Sequence, residues 1–336
     1  MFKVYNRRYT GSKLKLADWI INTIRKNCQG DSFFEVFAGT SVVSAKIAPL
    51  MKRVILNDTL DANNVIYKAF YGGEKYSQSV LDSFKNRFRE IALASFSQEY
   101  FSTNYGDKYF SNDDSKRIEQ IRSILQAERE NLSDKEYYIL LASLIYSMDR
   151  SANTVGHYDA YIKKQIVGRQ FEFDLIEPMA FPDTTFEIYQ EDANKLAQNV
   201  KADIAYIDPP YNSRQYCQFY HIYETIVKWN APELFGTALK PKATALSDYC
   251  RSCAPEAFAD LIAKLNCRYL VVSYNNTYES KSGSSRNKIT LEQITEILSR
   301  YGTVNTLSKS HQYFNAGKTD FADHKEFLFI VKRGEK

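Results

Sequence analysis

Along the 336 residues, short runs that are apolar almost throughout alternate with longer stretches whose apolar residues recur at helical spacing. The strand-like runs are SFFEVF (32–37), RVILND (53–58), TFEIYQ (185–190), DIAYID (203–208), RYLVVSY (268–274) and EFLFIVK (326–332). A strand covered on both faces needs no alternation of polar and apolar residues, so these runs predict buried strands flanked by helices. Helical spacing holds in KLKLADWIINTIRKN from Lys13, SVVSAKIAPL from Ser41, TLDANNVIYKAFYG ending at Gly72, QYCQFYHIYETIVKW and PEAFADLIAKL. Strand and helix in alternation predict an α/β fold built on a doubly wound, mainly parallel sheet. The last hydrophobic strand is a candidate antiparallel addition.

Between Gly72 and Asp183 the rhythm changes. Amphipathic stretches at 78–98, 112–130 and 134–149 follow one another without a buried strand between them. This predicts a mainly helical insertion over 73–183 within one α/β domain made of 1–72 and 184–336. The stretch ESKSGSSRNK (279–288) is polar, basic and rich in Gly and Ser, which predicts a loop.

Composition narrows the class. With 44% hydrophobic and 25% charged residues the chain is globular, and no apolar stretch approaches the roughly 20 residues that span a bilayer. The start MFKVYNRRYTGSKLKL is basic without an apolar signal core, so a cytoplasmic protein is expected, without membrane partners. The net charge of +4 permits nucleic-acid binding without demanding it. Residues 1–30 carry seven Lys/Arg against one Asp, whereas 73–183 carry 14 Lys/Arg against 18 Asp/Glu. Of five cysteines, Cys250 and Cys253 form a CxxC pair with no second pair and no nearby His, so no metal is expected.

In an open α/β sheet, ligands sit outside the carboxyl ends of the strands. At the first such end Glu35 and Phe37 are followed by Gly39, which leaves backbone room at a turn into a helix opened by Thr40 and Ser41. No GxGxxG fingerprint is present, which disfavours a dinucleotide. Asp58 follows the second strand, placed either to accept from ribose hydroxyls or to cap the helix of TLDANN. Asp192, in YQEDANKL, is either a helix cap or an acceptor near an adenine ring. The fourth strand delivers Asp208, Pro209, Pro210 and Tyr211, the tetrapeptide DPPY.

DPPY after an apolar strand, preceded by FEVFAGT and by RRYTGSK, resembles the amino-group DNA methyltransferases, and most closely the D12 class of adenine-N6 enzymes. The strings DPPYNSRQYCQFYHIYE and SANTVGHYDAYIKK are similar to the FokI-type methyltransferase branch of that class. The resemblance implies a Rossmann-like S-adenosylmethionine-dependent methyltransferase fold, with the helical insertion as target-recognition domain. It further implies site-specific methylation of a flipped adenine in double-stranded DNA, in a restriction-modification system with a cognate restriction endonuclease. Tyr9, Gly11 and Lys13 would contact the cofactor, with Glu35, Phe37 and Gly39 at its pocket, Asp58 on the ribose and Asp192 on the adenine amine.

The chemistry of the residues agrees with that family. The exocyclic amine of adenine is a poor nucleophile because its lone pair is delocalised into the ring, so geometry has to activate it. Asp208 can accept one N6 hydrogen and the Pro209 carbonyl the other, with both prolines stiffening the segment. Tyr211 can stack on a flipped base, and direct displacement needs neither metal nor covalent intermediate. For DNA, Lys163, Lys164 and Arg169 suit phosphates, and Asn153, His157 and Tyr158 the target base or its neighbours. That loop departs from the FNVPYG-like wording of better-known relatives. Arg214 and Gln215 are candidates for the orphaned strand, and Lys281, Arg286 and Lys288 for phosphates. The acidic balance of 73–183 restricts base reading to one edge of the insertion. Alternatives are an RNA adenine-N6 or DNA cytosine-N4 methyltransferase, or a catalytically idle DNA- or cofactor-binding relative. Asp rather than Ser at 208, the length of the insertion and the intact cofactor set argue against them.

Overall fold

The computed structural model describes residues 1–92, 99–163, 170–244, 246–277, 286–310 and 324–334. It divides into a sheet unit, Ser12–Thr59, Phe181–Gln215 and Ala245–Lys336, and a helical unit, Met1–Gly11, Leu60–Ala180 and Tyr216–Thr244.

Each of the six apolar runs becomes a strand of the sheet unit: β1 (Ser32–Glu35), β2 (Arg53–Asn57), β3 (Thr185–Tyr189), β4 (Lys201–Ile207), β5 (Asn266–Asn275) and β7 (Lys325–Lys332). A further strand, β6 (Val304–Ser310), completes a seven-stranded sheet of order β3-β2-β1-β4-β5-β7-β6. The first five in that order are mutually parallel, and β7 runs antiparallel to both β5 and β6, so the last hydrophobic strand is the antiparallel addition. Sequence reading misses β6 because its VNTLSKS residues are mostly exposed at the edge. That strand forms by backbone pairing with β7 rather than by burying side chains.

Consecutive residues Phe33 and Phe34 are both buried, so both faces of β1 are covered. On one face Phe34, Ile55, Ala205, Leu270 and Phe329 pack with Phe258 and Leu261 of α11 (Ala254–Lys264) and Ile294 and Leu298 of α12 (Leu291–Ser299). At the amino ends, Asp203 accepts from the amides of Asp31 and Ser32, both at 3.1 Å, and from Ser32 Oγ at 2.7 Å, which fixes where β1 enters beside β4. Gly30 lies against this carboxylate with φ +145°, and a Cβ there would fall 2.2 Å from Asp203 Cβ. Only glycine fits.

Two helices of the sheet unit bear on the site. α1 covers Ala17–Asn27 and α2 covers Val42–Ile47. The helical spacing from Lys13 overstates α1. Residues 13–16 instead form a turn closed by Leu16 N to Lys13 O at 2.9 Å, which lets the Lys13 side chain enter a buried ion-pair cluster.

The helical unit contains α3 (Asp61–Phe70), α4 (Gln78–Arg89), α5 (Tyr100–Tyr105), α6 (Asn112–Ala127), α7 (Asp134–Ser151), α9 (Tyr216–Phe219) and α10 (His221–Lys228). It is wider than 73–183, because 1–11, 60–72 and 216–244 pack with those helices. α7 is its axis. It is opened by a reciprocal cap between Ser133 and Glu136 and is buried along nearly all its length. The continuous helix expected from Gln215 breaks at Tyr220, whose φ of −117° and ψ of 27° separate α9 from α10. Glu224 of α10 accepts the Ala62 amide at 2.9 Å and so caps α3. No helix among the described residues is long and apolar enough to cross a membrane.

Candidate active site

Parallel register brings the strand ends together: Glu35 lies beside Leu56 and Tyr206, and Leu56 beside Ile188. The residues that follow β1, β2, β3 and β4 therefore emerge at one edge of the sheet unit. Asn57, buried at the end of β2, ties three of these ends. Its amide donates to Val36 O at 3.2 Å and Glu191 O at 3.1 Å, and its Oδ1 accepts from Glu191 N at 3.0 Å. Sequence reading passes over Asn57 because it sits inside a strand-like run; a buried amide ending such a run is the signal it carries.

Phe37 is half-buried and meets Tyr249 edge-on, with ring centroids 4.9 Å apart. Gly39 takes a left-handed conformation, φ +51°, and its amide donates to Asp58 Oδ2 at 3.0 Å. This bears on the cap reading of Asp58. The α3 amino end is capped by Glu224, so Asp58 is not its cap and instead holds the glycine turn. Asp192 does cap a helix, accepting from Lys195 N at 3.1 Å at the start of α8 (Ala193–Leu196), and is exposed.

Glu35 turns inward. Its Oε2 accepts the Ser44 amide at 3.0 Å and the Ser44 hydroxyl, capping α2, whose Ser41 makes no side-chain cap. Burial pushes the Glu35 carboxyl up to about 8 from an ordinary 4.5, against the lowering effect of Ser44. The folded protein thus holds a proton that the unfolded chain releases, so stability declines as pH rises from 4.5 to about 8. Glu35→Gln is expected to flatten that part of a denaturant-midpoint curve against pH. An unchanged slope would show that Glu35 is ionised in the fold.

The DPPY segment leaves β4 and enters a charged cluster. Lys13 Nζ lies 3.0 Å from Asp208 Oδ1 and 3.3 Å from Glu326 Oε1, with the side chains 6%, 16% and 3% exposed respectively, so solvent screens these pairs little. The Tyr211 hydroxyl joins Lys13 and Asp208 Oδ1, and Ser273 Oγ donates to Glu326 Oε1 at 2.6 Å. The Tyr211 ring meets Tyr274 edge-on at 4.9 Å, and its carbonyl accepts the Lys288 amide at 2.8 Å. Both bonds to Asp208 fall on Oδ1, and Oδ2 has no hydrogen-bond partner among the described residues. Burial raises Asp208 to about 6, with Lys13 pulling it down and Glu326 pushing it up. Burial works against the Lys13 ammonium, yet Asp208 and Glu326 outweigh it and raise its pKa. Glu326 and Ser273 were not among the sequence candidates, since both lie inside strand runs. A carboxylate and a hydroxyl buried in neighbouring central strands are the signal they carry.

A family model for D12 class N6 adenine-specific DNA methyltransferases matches residues 9–262, which include DPPY and every strand end described above. The chain belongs to this family. Among curated relatives, Type II methyltransferase M.NlaIII of Neisseria lactamica is 30% identical over 97% of this chain and 99% of its own length. Type II methyltransferase M.CviAII of Paramecium bursaria Chlorella virus 1 is 30% identical over 96% of this chain and 97% of its own length. Type II methyltransferase M.FokI of Planomicrobium okeanokoites is 31% identical over 97% of this chain, which spans only 52% of that longer protein.

In this D12 methyltransferase the remaining candidates divide between the two units. Within the sheet unit Gln215 exchanges two bonds with Ser247, Nε2 to the carbonyl at 3.1 Å and the amide to Oε1 at 2.8 Å. The Arg214 carbonyl accepts from Cys250 Sγ at 3.3 Å. Gln215 is thus spent on fixing the segment after DPPY. Within the helical unit Tyr9 stacks on Tyr220 at 4.7 Å and 3°, and Gly11 turns with φ +81° beside the Tyr216 hydroxyl. Asn153 closes its loop by donating to Lys108 O at 2.8 Å and Ile162 O at 2.9 Å. His157 stacks on Phe219 at 4.7 Å. Tyr158 is fully buried, with its hydroxyl on Asp149 at 3.1 Å, which removes it from contact with a base in this conformation. Lys163 is exposed, and Lys164, Arg169 and Lys281 lie outside the described residues. No group of three or more His, Cys, Asp or Glu among the described residues could hold a metal ion.

Proposed function

We propose that the protein is a site-specific methyltransferase that modifies N6 of a flipped adenine in double-stranded DNA, with Asp208 as the residue that engages the target amine. The observation that carries this reading is the half-engaged carboxylate: Oδ1 is held by Lys13 and Tyr211 while Oδ2 remains to accept a hydrogen. Family membership supplies adenine as the base and DNA as the polymer.

S-adenosylmethionine is the methyl donor the family implies, and the donor set at the sheet edge suits it. Asp58 and Asp192 are acceptors for a molecule that presents ribose hydroxyls and an adenine amine, and Phe37 and Tyr249 offer aromatic surface. When bound, this cofactor supplies an electrophilic methyl on a sulfonium sulfur and leaves as the neutral thioether. The chain supplies position and charge. Asp208 Oδ2 accepts one N6 hydrogen and the Pro209 carbonyl the other, which draws the nitrogen lone pair out of conjugation and aims it. After the new N–C bond forms, Asp208 takes the surplus proton from nitrogen and passes it to solvent. Tyr211 stays on Oδ1 as a holder of the carboxylate, or swings its ring onto the base; the hydroxyl contacts favour the first role.

Residues 73–183 supply target recognition in this reading, with the exposed Lys163 among them and the half-buried Arg214 beyond DPPY as candidates for DNA contact. The Type II methyltransferase relatives support a restriction-modification role, and a cognate endonuclease and a cytoplasmic setting belong to the same reading. The test is transfer of labelled methyl from S-adenosylmethionine to duplex DNA and to RNA. Label confined to duplex DNA, at one short sequence, is the expected result. Label confined to RNA would overturn the reading.

A further inference from the structure

One buried carboxylate of the cluster has no part in the chemistry just described. Glu326, on β7, is 2% exposed, ion-paired with Lys13 at 3.3 Å and held by Ser273 Oγ at 2.6 Å. Burying a second carboxylate beside Asp208 is costly and does not recommend itself as a device for stability. Its consequence is a matter of charge. One ammonium shared by two carboxylates leaves the cluster with a net negative charge, whereas Lys13 with Asp208 alone would be neutral. The target nitrogen becomes positive as it takes the methyl, so a neutral pair beside it would stabilise that charge far less.

We propose that Glu326 is a positioning residue of methyl transfer: anchored by Ser273, it draws the Lys13 ammonium to the Oδ1 side of Asp208 and keeps the cluster net negative toward the target amine. The proposal rests on the adenine-methylation reading of Asp208. The other groups facing Asp208 are Tyr211 beside it, Tyr206 of β4, Tyr274 of β5 and Glu35 of β1, none of them a cation. Glu326 is therefore the one described carboxylate that shares Lys13 with Asp208, the ammonium donating also to the neutral Tyr211 hydroxyl.

The experiment is single-turnover methylation of duplex DNA across pH 5–9 by the full chain, its Glu326→Gln and Ser273→Ala variants, and Asp208→Ala as control. Glu326→Gln is expected to lower the plateau rate by about 10- to 100-fold. It is also expected to move the acid limb below the wild-type limb near 6, because the carboxylate that raises Asp208 is gone. A lesion that merely loosened packing would lower the plateau without moving the limb. Ser273→Ala keeps the carboxylate but frees it, and is expected to cost about threefold to tenfold. An unmoved limb with a plateau within about twofold of wild type for Glu326→Gln overturns the proposal. If that variant does not fold, wild-type behaviour of Ser273→Ala overturns it instead. Wild-type protein that methylates adenine, with Asp208→Ala inactive, keeps the underlying reading in either case. An active Asp208→Ala would sink that reading by itself.

Discussion

Asp208→Asn is expected to fold normally and to lower single-turnover methyl transfer by about 10³-fold. The substitution keeps the size of the side chain and one carbonyl oxygen, so packing at the end of β4 is undisturbed. It removes the charge and presents an amide that cannot take a proton from nitrogen. If its NH2 turns to the target, it sets donor against donor; if it turns to Lys13, it faces an ammonium 3.0 Å from the native oxygen. Cofactor affinity, which the proposed function assigns to Asp58, Asp192 and Phe37, is expected to stay within about threefold, which separates loss of chemistry from loss of the pocket. Equilibrium binding beside single-turnover rates checks both. A variant retaining more than a tenth of the wild-type rate would remove Asp208 from the chemistry.

Lys13→Met carries the second large effect and shifts Asp208 in the opposite direction from Glu326→Gln. Without the ammonium, Asp208 and Glu326 become two buried carboxylates with no cation between them. The Asp208 carboxyl, already raised to about 6, rises further because the group that pulls it down is gone. Methylation at pH 7 is expected to fall by about 10- to 100-fold and to recover in part toward pH 9. Stability changes with its own pH dependence. Removing one partner of a buried pair costs about 3–5 kcal/mol when the remaining charge is forced to stay. Here the raised Asp208 carboxyl can take a proton, so the variant is closest to wild type at low pH. Its deficit grows as pH rises through the raised folded value. Denaturant midpoints at pH 5 and pH 8 check this. A deficit equal at the two values would mean that Asp208 and Glu326 are not coupled through Lys13.

Much of this arrangement could be read from the chain. Apolar runs located six strands, four of which are central, parallel and buried on both faces, while β3 is a half-buried edge and β7 is antiparallel; DPPY, Gly39 and Asp58 marked the edge where the strand ends gather. Three kinds of feature could not be read. β6 has no hydrophobic signature, since an edge strand is stabilised through its neighbour's backbone. Helix caps were misjudged where the cap comes from outside the first turn: Glu35, nine residues before Ser44, caps α2 and the distant Glu224 caps α3, so Ser41 and Asp58 had only the appearance of caps. The partners of Asp208 were hidden for the same reason. Lys13 and Glu326 lie at opposite ends of the sequence and meet only because β7 inserts beside β5. Residue type also misled where burial decides, as at Tyr158, which holds Asp149 instead of facing out.

The role proposed for Asp208 is that its free oxygen receives the amine of an adenine in DNA. It is tested most directly by hydrolysing duplex DNA treated with S-adenosylmethionine and either wild-type protein or Asp208→Asn, and identifying the methylated nucleoside by mass spectrometry. The expected product is N6-methyldeoxyadenosine with the wild type and none above background with the variant; N4-methyldeoxycytidine, or equal yields from both proteins, would contradict it.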